Sequence, residues 1–228
     1  MSTAPATRPG GQDRIFVIGL PRTGTTSLHL ALLLLGISGI HRPLQLANLF
    51  FRGKFDQLER YPFRCFGDLP VPIYFRELHR QFPSARFIIT ERPADSWIES
   101  IRVFLSTREP HPTDLQVRDV LRLAMFGSSV FDEERFRRVH DRHHRDVYDY
   151  FDSRPGALLR FRVDAPAPWA DLCGFLGKPT PDLPFPRMAL PSIGELSAVD
   201  DRNVSRVRDR LIASHARTGD YLGAGASG

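Results

Sequence analysis

Lysine is almost absent from this chain, although the chain is basic. Of its 31 lysines and arginines only Lys54 and Lys178 are lysines, which leaves 29 arginines against 26 acidic residues and a formal net charge of +5. A GC-rich genome accounts for such a bias. The alternative is a need for guanidinium groups, because their paired donors suit phosphate and sulfate anions. Composition alone does not decide between the two explanations.

Cysteine is also scarce, and no hydrophobic run is long. Cys65 and Cys173 provide neither a disulfide framework nor metal-ligand spacing, and their apolar neighbours predict that both lie in the core. The most apolar stretch, residues 28–40, contains His29 and Gly36; it is too short to span a bilayer and is predicted to be a buried helix. We therefore expect a cytoplasmic protein that does not bind a membrane.

The length of 228 residues suits one sizeable core and is short for two domains. A hydrophobic content of 42% and a charged content of 25% exclude a wholly disordered chain. We predict a disordered arm over residues 1–13, a single domain over residues 14–218 and a flexible tail over residues 219–228. The arm has no apolar segment of the kind found in a secretory signal.

Short apolar segments alternate with helical patterns along the chain. Residues 14–20, 85–90 and 157–163 are predicted to be buried strands, and residues 63–68 a weaker one. Apolar residues at helical spacing predict helices up to about residue 35 and over residues 72–82, 95–106, 115–125, 133–151, 169–176 and 203–217. The alternation predicts an α/β domain with three layers, α/β/α, around a mainly parallel central sheet.

A glycine-containing loop, residues 19–27 (GLPRTGTTS), follows the first predicted strand. It has the spacing of a P-loop, but Thr25 stands where the lysine is usual. Backbone N–H groups and the start of the next helix favour an anion in such a loop. Side chains that add donors or charge are Arg22, Thr23, Thr25, Thr26 and Ser27, while Gly19 and Gly24 permit the turn. The alternative is an ordinary turn of an α/β fold.

The missing lysine narrows the choice of nucleotide. In P-loop NTPases that lysine contacts the β- and γ-phosphates, and an aspartate at a strand end helps to hold Mg²⁺. No apolar strand of this sequence ends in a convincing aspartate of that kind. The loop therefore suits a nucleotide whose transferred group needs no metal.

A second segment, residues 91–100 (ERPADSWIES), follows the predicted strand over residues 85–90. Arg92 lies where this strand ends, at the edge of the sheet where α/β folds bind ligands. Ser100 on the next helix can return a hydroxyl to the same edge. Alone, the segment is equally an arginine at a sheet edge and a serine on a helix surface.

Together the two segments resemble the P-loop sulfotransferases, which transfer a sulfuryl group from 3′-phosphoadenosine-5′-phosphosulfate (PAPS) to an acceptor. The resemblance runs from about residue 14 to residue 187, and residues 158–186 are similar to the short bacterial members. It implies that residues 22–27 bind the 5′-phosphosulfate, with Arg22 as the basic residue, and that Arg92 and Ser100 bind the 3′-phosphate.

The sequence departs from this family in two places. Glu91 stands where an apolar residue is expected; it either pairs with a neighbouring arginine or disturbs the 3′-phosphate site. The C-terminal part also lacks the glycine-rich basic motif of the larger members, so the residues that close over the adenine stay undetermined.

Sulfuryl transfer needs a cation for the developing charge and a base for the proton of the acceptor. Arg22 is the candidate cation, and Asp68, after the strand predicted over residues 63–68, is the candidate base. In the family that the chain resembles, the base comes from a comparable strand end. Asp68 could instead cap the following helix, and His41 is a weaker rival base.

Three other clusters have simpler interpretations. His140, His143 and His144 are predicted to lie on a solvated helix face, with acceptor contact or metal binding as alternatives. The arginines of residues 135–145 alternate with acidic residues, which predicts a solvated surface and not a nucleic-acid site. Aromatic residues predicted to lie mostly in the core, with some at an acceptor pocket, are Phe50, Phe51, Phe55, Tyr61 and Phe63.

The leading hypothesis is a PAPS-dependent sulfotransferase that acts on a hydroxyl or amine of a small molecule without a metal. Residues 41–66 and 108–150 would determine its specificity. The sequence leaves open whether the protein forms a homodimer. One alternative is a small-molecule or nucleotide kinase with an atypical P-loop. Another is a non-catalytic nucleotide-binding or scaffold protein.

Overall fold

The computed structural model describes residues 14–106 and 117–187. Within these residues five short strands form one sheet: β1 (Ile15–Val17), β2 (Gly39–His41), β3 (Cys65–Gly67), β4 (Arg86–Thr90) and β5 (Leu158–Phe161). Their order is β2-β3-β1-β4-β5, and every neighbouring pair is parallel. The prediction of an α/β fold around a parallel sheet is confirmed.

Helices connect the strands, as parallel pairing requires. In the described part of the chain they are α1 (Thr25–Leu34), α2 (Ala47–Phe51), α3 (Phe75–Gln81), α4 (Ala94–Ser106), α5 (Val117–Phe126), α6 (Glu133–Phe151) and α7 (Pro168–Leu176). Turns of 3₁₀ helix cover Leu44–Leu46, Phe55–Arg60 and Val71–Tyr74. The predicted helix over residues 203–217 and the predicted arm and tail lie outside the described residues.

The alternation of side chains along the strands builds a core on each face of the sheet. Phe16 of β1 packs with its neighbours Phe66 and Phe87 on one face, against α3 and α6. Ile15 and Val17 point to the other face, against α1 and α7. The three predicted layers are therefore present.

A third cluster extends the core beyond the carboxyl ends of the strands. Leu20 and Leu69, which follow β1 and β3, pack there with buried side chains of α4, α5 and α6. Trp97 and Leu121 are both completely buried in this cluster. This packing fixes α4 and α5 at the edge of the sheet where the strands end.

Strand β2 is absent from the sequence prediction, and the prediction of a helix over residues 28–40 is wrong in its second half. Helix α1 ends because Gly36 has a φ of 74°, a left-handed conformation that stops a helix and favours glycine. The amides of Gly36 and Ile37 then donate to the carbonyls of Leu33 and Leu32. The chain that follows is extended and joins the sheet beside β3.

Candidate functional site

The carboxyl ends of the strands open into a cleft of about 1060 Å³. Strand β1 lies between β3 and β4. From β1 the chain leads to β2 and β3 on one side, whereas β4 and β5 lie on the other side, so the strand order reverses at β1. Open α/β sheets bind ligands in such a crevice. Every predicted site residue lines the cleft: Arg22, Thr23, Gly24, Thr25, Thr26, Ser27, Asp68, Arg92 and Ser100.

Two glycines let the loop after β1 pass close to its neighbours. A Cβ atom on Gly19 would lie 1.9 Å from Oγ1 of Thr90, at the end of β4. Gly24 has a φ of 101°, and a Cβ there would lie 2.7 Å from Cγ1 of Val163. Gly24 directly precedes α1 as its N-cap and lines the cleft, so the positive end of the dipole of α1 faces the cleft.

The backbone of this loop is held by side chains from other elements. Trp97 of α4 donates its indole N–H to the carbonyl of Pro21 over 2.8 Å. Thr23 donates its hydroxyl to the carbonyl of Leu20 over 2.6 Å and is also hydrogen bonded to Thr90. The hydroxyl of Thr23 thus has an internal structural role, and its contact with a bound anion stays a prediction.

The two predicted anion-binding segments meet at Arg22. Nε of Arg22 donates to Oγ of Ser100 over 3.1 Å, and Nη1 of Arg92 donates to the carbonyl of Arg22 over 3.2 Å. Nε of Arg92 donates to Oγ of Ser96 over 3.2 Å. Within residues 14–106 and 117–187, neither arginine has a carboxylate at ion-pair distance. Two cations are thereby placed side by side in the cleft.

The electrostatic effect of this arrangement is visible at Arg22. Burial, and secondly the nearby charge of Arg92, lower the pKa of Arg22, while Asp68 opposes the change. The guanidinium nevertheless keeps its charge, because arginine stays protonated in proteins. A bound anion would relieve the repulsion between the two arginines, so the pair favours an anionic ligand.

Asp68 and His41 lie next to each other where β3 and β2 end. Oδ1 of Asp68 accepts the amide N–H of Leu69 over 2.7 Å, and Oδ2 lies 3.5 Å from Nε2 of His41. The same Nε2 lies 3.2 Å from Oγ1 of Thr25, in the first turn of α1. Burial lowers the pKa of His41 in spite of the nearby Asp68, so the imidazole is neutral at pH 7. Both the predicted base and its rival therefore face the loop.

Comparison with known proteins identifies the domain. A family model described as a sulfotransferase domain matches residues 14–190. The chain belongs to the sulfotransferase domain family. It is also 30% identical over 114 residues to Ava biosynthesis cluster protein M of Aspergillus versicolor, an alignment that covers 41% of this chain and 44% of that relative. The chain thus spans less than half of the length of the relative.

Glu91, the departure from the pattern of the sulfotransferases, pairs with an arginine. Its Oε1 accepts Nε–H of Arg160 over 2.6 Å and also accepts the hydroxyl of Tyr148. Burial and the nearby Glu91 raise the pKa of Tyr148. Arg160 of β5 therefore neutralises the carboxylate of Glu91. The charge of Arg92 remains available to bind an anion.

The prediction of a solvated histidine face on α6 of this sulfotransferase domain is wrong for two of the three residues. His140 and His143 are 8% and 6% exposed. Nε2 of His143 donates to the carbonyl of Ile18 over 2.8 Å, and Nε2 of His140 donates to the carbonyl of Arg92 over 3.1 Å. Both carbonyls belong to segments that lead into the cleft, so these histidines support the backbone of the site.

Four of the five aromatic residues singled out after α1 belong to the core or pack against it, and none of the five lines the cleft. Phe50, Phe55 and Phe63 are buried in the cluster beneath the sheet, and Tyr61 packs against it. Phe51 is 43% exposed. Of residues 41–66, which were expected to give specificity, the cleft is lined by His41, Arg42 and Leu44.

At the other side of the cleft, the range predicted for specificity, residues 108–150, contributes lining residues, but the sequence singled out none of them individually. There the described part of α4 and α5 contributes Phe104, Leu121, Arg122 and Phe126. No local motif marks these positions, since they meet only through the packing of α4 and α5 beyond the sheet. The available signal was the apolar face of the helix predicted over residues 115–125.

Two negative observations apply to residues 14–106 and 117–187. None of their helices combines the length and the apolar character needed to cross a membrane. In the same residues, His, Cys, Asp and Glu side chains do not gather in groups of three that could hold a metal ion.

Proposed function

We propose that this domain is a PAPS-dependent sulfotransferase that transfers a sulfuryl group to a hydroxyl or amine of a small acceptor. The observation that carries the proposal is the meeting of Arg22 and Arg92 at the end of the sheet, with no carboxylate paired to either among the described residues. A nucleotide with anionic groups at both its 5′ and 3′ positions matches two cations in one cleft. Sulfotransferase-domain membership supports the same donor.

In this proposal the loop residues bind the 5′-phosphosulfate. The backbone N–H groups of residues 22–27 and the N-terminus of α1 face the anion, and the hydroxyls of Thr25, Thr26 and Ser27 add donors. Arg92 and Ser100 bind the 3′-phosphate. The hydrogen bond between Arg22 and Ser100 connects the two ends of the donor site.

The transfer step is in-line. The acceptor oxygen or nitrogen forms a bond to sulfur while the bond from sulfur to the bridging phosphate oxygen breaks, and the acceptor loses its proton to Asp68. Arg22 stabilises the negative charge that develops on the leaving phosphate, an effect that is large in a water-poor cleft. The amide of Leu69 orients the carboxylate of Asp68, and His41 lies beside both this carboxylate and Thr25. These groups supply the charge and the proton acceptor without a metal ion.

The proposal places the reaction in the cytoplasm. Both cysteines of the chain, Cys65 and Cys173, are buried and unpaired. Free thiols of this kind are typical of proteins in a reducing compartment.

Calorimetry with adenosine 3′,5′-bisphosphate, the product of the donor, tests this function. We expect binding in the absence of Mg²⁺, and a loss of about tenfold to a hundredfold in affinity for Arg92→Gln, which removes a charged hydrogen bond. The matched control is Arg145→Gln, on the exposed side of α6, which should bind as the unmodified protein does.

A kinase would give a different result. Binding of ATP with Mg²⁺, together with no heat from the bisphosphate, would favour a kinase with an atypical P-loop. Binding of the bisphosphate without any sulfuryl transfer to a metabolite mixture would favour a non-catalytic nucleotide-binding protein.

A further inference from the structure

The side of the cleft formed by α4, α5 and the segment after β2 is both apolar and basic. Its arginines are Arg42, Arg118 and Arg122, and its apolar side chains are Leu44, Phe104, Leu105, Leu121 and Phe126. We propose that the acceptor is an amphiphilic anion, such as a hydroxyaryl carboxylate, whose own negative group is bound by Arg42 and Arg122. This inference rests on the proposed function, because it assumes that the acceptor occupies this cleft.

Among the residues that the structure describes, the three arginines have more positive charge than their carboxylate partners neutralise. Arg118 and Arg122 share one carboxylate, that of Asp119, over 3.9 and 3.3 Å. Arg42 forms no ion pair with any residue that the structure describes. Burial lowers the pKa of Arg122; Asp119 opposes this, while Arg118 and Arg42 lower it further. Within residues 14–106 and 117–187, no second carboxylate balances this group.

The acidic residues of the cleft do not supply that anion, since each has another partner. Asp68 faces His41. The remaining three are paired with arginines that do not line the cleft: Glu91 with Arg160, Glu99 with Arg102 and Asp164 with Arg162. Carboxylates of the described part of the chain therefore leave a surplus of positive charge beside α5, which favours an anionic ligand.

The position of Phe104 limits the length of the acceptor. The guanidinium carbon of Arg22 lies 5.2 Å from the centre of the Phe104 ring, and that of Arg122 lies 5.9 Å from it. The two guanidinium groups are therefore separated by no more than the sum of these distances, about 11 Å. An acceptor that reaches from the transferred group at Arg22 to Arg122 has room for one ring and a short chain.

The apolar wall favours a body of that kind. Phe104 and Leu105 are half-buried and line the cleft, and the fully buried Leu121 lies behind them. Phe104 packs against the same cluster from α4. Sites for small molecules combine such apolar walls with a few polar groups that set orientation. Here Asp68 would accept the proton at one end, and Arg42 and Arg122 would hold the anionic group at the other.

A matched series of acceptors tests the inference. para-Hydroxyphenylpropionate, its primary amide and tyramine share the phenol and differ in the charge at the other end. Each is titrated by calorimetry into the full chain saturated with adenosine 3′,5′-bisphosphate. We expect the acid to bind about tenfold to a hundredfold more tightly than the amide, the range for a charged hydrogen bond. Tyramine should bind most weakly.

Two variants locate the preference. Arg122→Gln and Arg42→Gln should each reduce the preference for the acid over the amide, and Arg145→Gln should keep it. Arg42 is exposed, so its replacement tests the inference even if replacing the more buried Arg122 prevents folding. Equal binding of acid and amide, no binding of any probe, or a preference that both variants retain would overturn the inference.

The outcome is separable from that of the proposed function. If the bisphosphate binds and the acid has no advantage, the donor assignment stands and the anionic acceptor is wrong. If the bisphosphate gives no heat while the acid still binds more tightly than the amide and Arg42→Gln removes the difference, the anion site stands and the sulfotransferase proposal fails.

Discussion

The substitution Asp68→Asn removes one negative charge while preserving the shape of the side chain. Oδ1 of the asparagine can still accept the amide N–H of Leu69, as Asp68 does over 2.7 Å. Asp68 has a φ of 64°, a left-handed conformation that asparagine also tolerates. The fold and the nearby loop should therefore be unaffected, and the change isolates the ability to accept a proton.

The expected size of the effect follows from the position of the other oxygen. Oδ2, which lies 3.5 Å from Nε2 of His41, is replaced by an amide nitrogen that cannot accept the proton of the acceptor. A positioned general base accelerates a reaction by about 10²- to 10⁴-fold. We therefore expect turnover to fall by about that factor, with no change in the affinity for adenosine 3′,5′-bisphosphate.

The assay combines initial rates at saturating PAPS with calorimetry of the bisphosphate. His41→Gln is the companion variant, because it keeps a polar group beside Asp68 and Thr25. Turnover that is unchanged in Asp68→Asn would remove Asp68 from the mechanism. If turnover is lost in His41→Gln and only slightly reduced in Asp68→Asn, the base is His41 and Asp68 orients it.

Two further predictions concern Arg22 and His143. Arg22→Ala should lower turnover by about 10²- to 10³-fold. It should lower the free energy of unfolding by only about 1 to 2 kcal/mol, since the fold loses the contact with Phe104 and the hydrogen bond to Ser100; comparable losses in turnover and in stability would indicate a structural arginine. Burial lowers the pKa of His143 to about 4, so between pH 6.5 and pH 4 the unfolded chain binds the additional proton and stability decreases as the pH falls. Urea unfolding at pH 7 and pH 5 should show a loss of about 2 kcal/mol from this group, which His143→Gln should remove; the same pH dependence in the variant would contradict the assignment.

The sequence predicts most of the elements that carry local signals. Strands β1 and β4 are apolar runs next to a glycine turn and a proline, and α6 has the predicted bounds of residues 133–151. Strand β2 has three residues, two of them Gly39 and His41, and no periodicity of its own. It exists because its backbone pairs with β3, which is a long-range effect that no local pattern encodes.

The bounds of α6 are predicted correctly, but the side of the helix on which its histidines lie is not. His140 and His143 are in line with Phe136, Val139 and Val147, at spacings of three and four residues that place them all on one side of a helix. That apolar stripe was a signal for burial. The charged residues between these positions conceal this stripe when polarity is averaged over the whole segment and not over one face of the helix.

Backbone conformation gives an independent reason to regard the cleft as functional. In the described parts of the chain, the non-glycine residues with positive φ are Arg22, Arg42 and Asp68, with values of 73°, 57° and 64°. All three line the cleft, and Arg42 and Asp68 directly follow β2 and β3. A left-handed conformation costs a residue with a side chain about 1 to 3 kcal/mol, and glycine would avoid that cost. Fold stability alone therefore does not explain two guanidinium groups and a carboxylate at these positions, whereas a site that needs cations and a proton acceptor at the ends of adjacent strands does.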